Sequence, residues 1–425
     1  MIFPEEKYMR GLRAVFLVFG LLAASAAGAE ELAPGTVLDA SNWETVKDKT
    51  FEGHRIADMV PKGMLVLVLE HGLKLPLRHS ESFEIDPRYR ELSDKYASQV
   101  VYDKATQNIS GYVAGLPFPD VQRDAMAILD KKEAGRKLIW NNFYANPTTG
   151  DNYSLKEGKV FLISGKSGIE REQTLYTTKI RMTGRLTEPH VLGDGSLNKQ
   201  QMLFLLAPYD VKGLGQYIVR YNDGRPDDTY AYIKSVRRVR RVSGNTWMDS
   251  TGGGDWSNED ASLLDAHPLW YESYTLLGET TTLAVAHSKA GPVKLDEMID
   301  YKNSPHWNPI GVEWEPRQTY VIEGKPPTAH LYGKKTLWME KNHPNFYWME
   351  VLDKKGELWK VGMNFSHPST PEESALPAIG EGPGGIFIDL QRYHATVVTA
   401  EGIRINLPGV SEEDFSVREM QKLVQ

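Results

Sequence analysis

Asp255, Glu259 and Asp260 lie close together beside Trp256, in the glycine-rich stretch Gly252-Gly-Gly-Asp-Trp-Ser-Asn-Glu-Asp260. A pair of carboxyl groups near an aromatic ring is what glycoside hydrolysis uses, one as acid and one as nucleophile or base. In a turn, the same acids more commonly organise the loop by accepting hydrogen bonds from its own backbone. Gly165-Lys166-Ser167 has the end of a phosphate-binding loop, but that motif needs a glycine five residues earlier, where Val160 stands. It reads as a turn. No Gly-x-Ser-x-Gly elbow occurs, and the 11 histidines never fall in His-x-x-x-His; His267, His343 and His367 each precede proline. With no cysteine in the chain, disulfide and thiolate chemistry are excluded. Metal ligands or a catalytic triad can converge from distant parts of a chain, so these spacings leave both open; the expectation adopted is a protein that is not an enzyme and has no metal or cofactor.

Two further groups of residues suit binding. Lys234, Arg237, Arg238, Arg240 and Arg241 form the densest basic run. On a strand, Arg238 and Arg240 share one face and Arg237 and Arg241 the other. These four arginines would suit a docking edge for phosphate headgroups or an acidic partner. A solubilising edge strand, its charges deterring sheet-to-sheet association, would show the same run. Eight of the 10 tryptophans lie between Trp247 and Trp359, which fits either the wall of an apolar cavity or ordinary sheet core. Trp247, Trp270, Phe346 and Trp348 are the candidate ligand-binding residues. Simple alternation places Trp348 with Phe346 on an apolar wall, and Trp338 with Glu340 at an outer or rim position.

The elements that must position these groups are mostly short β-type runs. From about Leu155 onward they follow one another without intervening helices of 10–15 residues, which predicts an antiparallel meander rather than a parallel sheet. Tyr221-Asn-Asp-Gly-Arg225 and Asp353-Lys-Lys-Gly-Glu357 read as hairpin turns. Before the meander, a hairpin is expected over 98–114 and one long helix over 121–143. Ser416-Val-Arg-Glu419 opens a C-terminal helix. The expected domains are a leader at 1–29, an N-terminal region at 30–145 and a β-rich region at 146–425.

Lys7, Arg10 and Arg13 precede an apolar run from Ala14 to Ala24, and Ala27-Gly-Ala29 follows. This is the pattern of a secretory signal cut after Ala29, and the run is too short to span a bilayer. The expected location is the periplasm of a Gram-negative bacterium. The net charge of −7 becomes −8 without residues 1–29, so no global attraction to nucleic acid is expected.

Gly111-Tyr-Val-Ala-Gly-Leu-Pro-Phe-Pro119 and Ala134-Gly-Arg-Lys-Leu-Ile-Trp-Asn141 resemble the signature of a proteobacterial family of uncharacterised periplasmic proteins. Ala207-Pro-Tyr-Asp-Val-Lys-Gly213, Val236-Arg-Arg-Val-Arg-Arg241, Gly254-Asp-Trp-Ser-Asn-Glu-Asp260 and Lys334-Lys-Thr-Leu-Trp-Met-Glu340 resemble that family's wider relatives, outer-membrane lipoprotein-sorting proteins of the LolA/LolB type. The resemblance implies a mainly β fold with helices, an unclosed antiparallel half-barrel curled around helices with an apolar cavity. It also implies a binding protein or shuttle for a lipid or other hydrophobic ligand. Its implied partners are a transporter of the resistance–nodulation–division type and an outer-membrane protein. The alternatives are a structural adaptor between those partners, carrying nothing, and a periplasmic hydrolase.

Overall fold

The computed structural model describes residues 30–424 except 84, 147–149, 234–237, 243–245, 251, 290–293, 371–373, 375–376 and 400–402. The leader at 1–29 and Arg237 therefore lie outside the described residues.

Hairpin follows hairpin through β1 (Asn152–Ser164), β2 (Gly168–Arg181), β3 (Leu197–Ala207), β4 (Gly215–Tyr221), β5 (Asp228–Ile233) and β6 (Arg238–Val242). A second series runs through β7 (Ser273–Ala284), β8 (Glu315–Lys325), β9 (Lys334–Glu340), β10 (Phe346–Leu352), β11 (Leu358–Pro368), β12 (Ile379–Asp389), β13 (His394–Thr399) and β14 (Ile403–Ile405). All pairings are antiparallel, and β13 and β14 return to pair with β1, so the two series join into one 14-stranded sheet. Its order runs from β6 at one end to β7 at the other. The ends do not pair, and the sheet is an open half-barrel.

Strands buried on both faces read as continuous apolar runs, and β3 (Met202-Leu-Phe-Leu-Leu206) is one. Its Met202 and Phe204 pack outward with Phe415 and Met420 of the C-terminal segment, while Leu203 and Leu205 face inward. The outer face of β9 to β13 is covered by residues 32–77, including helix α1 (Lys62–His71), which buries Met64, Leu67 and Val68. The inner face of β7 to β10 is covered by helix α2 (Lys131–Ala145) and residues 246–272. The C-terminal helix, α3 (Val417–Val424), begins where expected, with Ser416 Oγ accepting from the Glu419 N–H at 3.1 Å.

Two expectations are corrected. The helix over 121–143 is broken: a short piece, Pro119–Arg123, is separated from α2 because the Asp130 carboxylate accepts from the Lys132 and Glu133 N–H groups at 2.9 and 3.1 Å and starts a new helix. Trp348 and Phe346 do not share a face. The register shifts between Trp338 and Met339, so β10 carries a bulge near Tyr347. Trp348 thus joins Trp338 in the outer-face core and Phe346 joins the inner-face core. Trp338 stands on the outer face, as expected, and is buried there under the N-terminal region.

Gly135 is where α2 touches β7: a Cβ there would sit 2.7 Å from the Tyr274 carbonyl oxygen. Helix propensity alone would favour Gly135→Ala by about 1 kcal/mol. We predict the opposite sign, a loss of urea stability, because backbone cannot yield as a side-chain tip can. A stabilised variant would show that α2 is not held against β7.

Candidate ligand-binding cavity

The inner face of β1 to β5 is only partly covered. Val160 of β1, Gln173 and Leu175 of β2, Leu203 and Leu205 of β3, Gln216 of β4 and Ala231 of β5 line a cavity of ≈ 380 Å³. Ser250, Gly252, Trp256 and Asn258 close its other side. No charged side chain lines it among the described residues. Smaller cavities of ≈ 90 and ≈ 40 Å³ share Leu203 and Trp256 with it. The first continues past Thr177 and Leu155 toward Phe387, and the second reaches Trp247. The main volume falls within the roughly 300–1,000 Å³ of small-molecule sites, and apolar walls with a few polar groups are their usual lining.

The roof is held by the three carboxylates that the sequence singled out. The Asp255 carboxylate accepts from Thr396 Oγ1 at 2.8 Å and meets His394 Nδ1 at 2.7 Å, while Lys360 Nζ donates to the Asp255 carbonyl at 2.6 Å. Asp255 thereby raises the His394 pKa through their hydrogen bond. Glu259 accepts from Tyr271 Oη at 2.8 Å and lies 3.2 Å from His330 Nε2. Asp260 accepts from the Ser257 N–H and hydroxyl at 2.7 Å each, from Tyr332 Oη at 2.6 Å and from Lys335 Nζ at 2.7 Å. Burial opposes its ionisation, but the Lys335 ammonium and these hydrogen bonds hold its carboxyl down at about 2. The loop reading holds for Asp260, which caps its own backbone. Asp255 and Glu259 instead reach across to other segments. None of the three lines the cavity, so they form no carboxylate pair open to a glycan.

The candidate ligand residues separate. Trp247 and Trp270 stack with centroids 5.1 Å apart, and the Arg220 guanidinium lies 4.9 Å over the Trp270 ring. Trp247 borders the smallest cavity; Trp270 donates its indole N–H to the Gly224 carbonyl at 2.9 Å. Phe346 is buried in the inner-face core, and Trp348 donates to Glu350 at 3.0 Å on the outer side. Neither lines these cavities. Sequence reasoning missed Trp256 and the leucines of β2 and β3. The signal for the leucines was available: a strand apolar on both faces must be covered twice.

Arg238, Arg240 and Arg241 are exposed on β6, the free end of the sheet. Arg241 is ion-paired with Asp228. Lys166 and Ser167 donate backbone N–H groups to Ser164 Oγ at 3.2 and 3.3 Å in the β1–β2 turn, as a turn reading requires.

Asp260→Asn would take from buried Lys335 its nearer counter-charge and leave only Glu259, at 3.8 Å, and we predict a loss of about 3 kcal/mol in urea unfolding. Because the folded pKa is depressed, the stabilisation is present above about 3.9 and lost as pH falls through the folded value. The unfolding midpoint should therefore drop between about pH 4 and pH 2 in wild type, and less steeply in Asp260→Asn. Identical pH profiles would contradict this pairing.

In structure, the chain is similar to a domain described as an outer membrane lipoprotein-sorting protein from Vibrio parahaemolyticus, at 16% identity and a TM-score of 0.47, over 68% of this chain and 99% of that one. A DUF1329 family protein from Desulfovibrio piger matches at 19% identity and a TM-score of 0.47, over 68% and 99%. A LolA superfamily protein from Nitrosomonas europaea matches at 14% identity and a TM-score of 0.37, over 65% and 96%. None of the curated proteins matches the sequence. The family model described as "Protein of unknown function (DUF1329)" matches residues 37–421, and the chain belongs to that family.

Proposed function

We propose that the protein is a periplasmic binding protein or shuttle for a lipid or another hydrophobic ligand. The observation that carries this reading is the cavity of ≈ 380 Å³ between the inner face of β1 to β5 and the loop around Trp256, lined by no charged side chain among the described residues. A buried CH₂ group is worth about 0.8 kcal/mol, so a 16-carbon chain represents roughly 13 kcal/mol of gross transfer energy. Such a molecule crosses water only under cover. A wall of Val160, Leu175, Leu203 and Leu205 offers that cover, and no charged side chain among the described residues lines it.

The reading is of a carrier and not an enzyme, since the acids near Trp256 are occupied in holding the roof. The periplasmic location rests on the signal pattern before Glu30, and no described helix is long and apolar enough to cross a membrane. A resistance–nodulation–division-type transporter and an outer-membrane acceptor are the partners that the sequence resemblance suggests for delivery and receipt.

Brominated palmitate quenches tryptophan only at close contact, so it reports which ring lines the site. We expect it to quench wild-type fluorescence, with most of that quenching lost in Trp256→Phe and retained in Trp348→Phe. Leu205→Glu should weaken binding by several kcal/mol, because a charge would be desolvated in the wall. Equal quenching in wild type and Trp256→Phe would remove the ligand from this cavity.

A further inference from the structure

One rung of the sheet runs along the inner face from the cavity wall to the free edge. Its successive antiparallel partners are Leu155 with Thr177, Thr177 with Leu203, Leu203 with Gln216, Gln216 with Ala231 and Ala231 with Arg240. Directly opposed residues in an antiparallel ladder project from the same face. Arg240 therefore stands on the cavity side, one strand spacing of about 4.8 Å beyond Ala231. Arg238, two residues away, shares that face. Val239 between them points the other way and packs with the outer-face cluster around Phe204 and Phe415.

Both arginines are exposed, and among the described residues neither side chain makes an ion pair or a hydrogen bond. Arg241, on the opposite face, is by contrast tied to Asp228. The edge thus presents two uncommitted guanidinium groups beside a cavity that no charged side chain lines among the described residues. An anion could not enter the cavity without losing its hydration uncompensated, but it could remain at the edge.

We infer that the cavity and this edge form one site for an amphiphile: the apolar chain lies against Leu203 and Leu205, and an anionic headgroup is held by Arg238 and Arg240. The shared chemistry is an oxyanion, phosphate or carboxylate, which guanidinium groups bind through paired N–H donors. This inference rests on the carrier reading and adds the headgroup to it.

The test uses the full chain and three ligands of equal chain length: palmitate, monopalmitoyl phosphatidic acid and monopalmitoylglycerol. Each displaces the apolar fluorophore N-phenylnaphthylamine from wild type and from the double variant Arg238→Gln, Arg240→Gln. We expect at least one anionic ligand to bind wild type about tenfold more tightly than the neutral glycerol ester, the scale of a charge-assisted hydrogen bond. The double variant should lose that preference and keep its affinity for the neutral ester, which also shows that it is folded. Preference for palmitate alone assigns a carboxylate, and preference for the phosphatidic acid alone assigns a phosphate. In wild type the preference should also fall at 1 M salt, where the screening length is about 3 Å. Equal binding of all three ligands, or a preference that survives the double substitution or high salt, overturns the headgroup site and leaves the carrier. Failure of all three to bind removes the carrier reading and this site with it.

Discussion

Asp255, Glu259 and Asp260 carry three buried carboxylates from one short loop into the inner side of the sheet, and the layout of that face follows from where they are met. Lys335 on β9, His394 and Thr396 on β13, and Tyr271 ahead of β7 are their partners. A buried carboxylate without such a partner costs several kcal/mol, so the loop has little freedom to settle elsewhere. Its docking point lies on the second half of the sheet. Trp256, between the anchors, is thereby held over the first half, where β2 and β3 present leucines to the cavity. The cavity is the space left by a roof tied down on one side.

The sheet's openness imposes a second constraint. An unclosed sheet of 14 strands exposes two faces and two edges, and each apolar face must be covered or used. Residues 32–77 and the C-terminal helix cover the outer face. Helix α2 and residues 246–272 cover half of the inner face. The edge at β6 carries exposed arginines, which discourage pairing with another sheet. What remains uncovered is apolar, enclosed and next to positive charge, an arrangement suited to a molecule with one greasy and one anionic end.

Much of the fold was legible in the sequence because hairpin signals are local. Turn glycines such as Gly224 and Gly356, at φ of 81° and 84°, fall where the Asn-Asp-Gly and Lys-Lys-Gly stretches indicated. The antiparallel order followed from them, whereas the open half-barrel was what the resemblance to the lipoprotein-sorting proteins implied. The broken helix before the meander was less legible, since the apolar spacing continues across Asp124–Asp130 and only the N-cap at Asp130 marks the restart. The site was least legible. Alternation alone put Trp348 with Phe346, but one bulged residue in β10 reverses the face of everything beyond it, and tertiary contacts decide where a bulge sits. The tryptophan-rich strands proved to be core, and the cavity lies mainly against leucines in strands where tryptophan is absent. The acids of the Gly-rich loop were visible as a cluster, but their role needed Lys335, 75 positions along from Asp260, to be seen beside them.

The central claim is that this cavity carries an amphiphile in the cell. Native mass spectrometry of the protein released by osmotic shock and purified without detergent tests it most directly. The account predicts a population heavier than the polypeptide by one acyl-bearing molecule, recovered on solvent extraction with an anionic headgroup. A polypeptide of apo mass only, which also takes up no fatty acid or lysolipid when these are added, would contradict it.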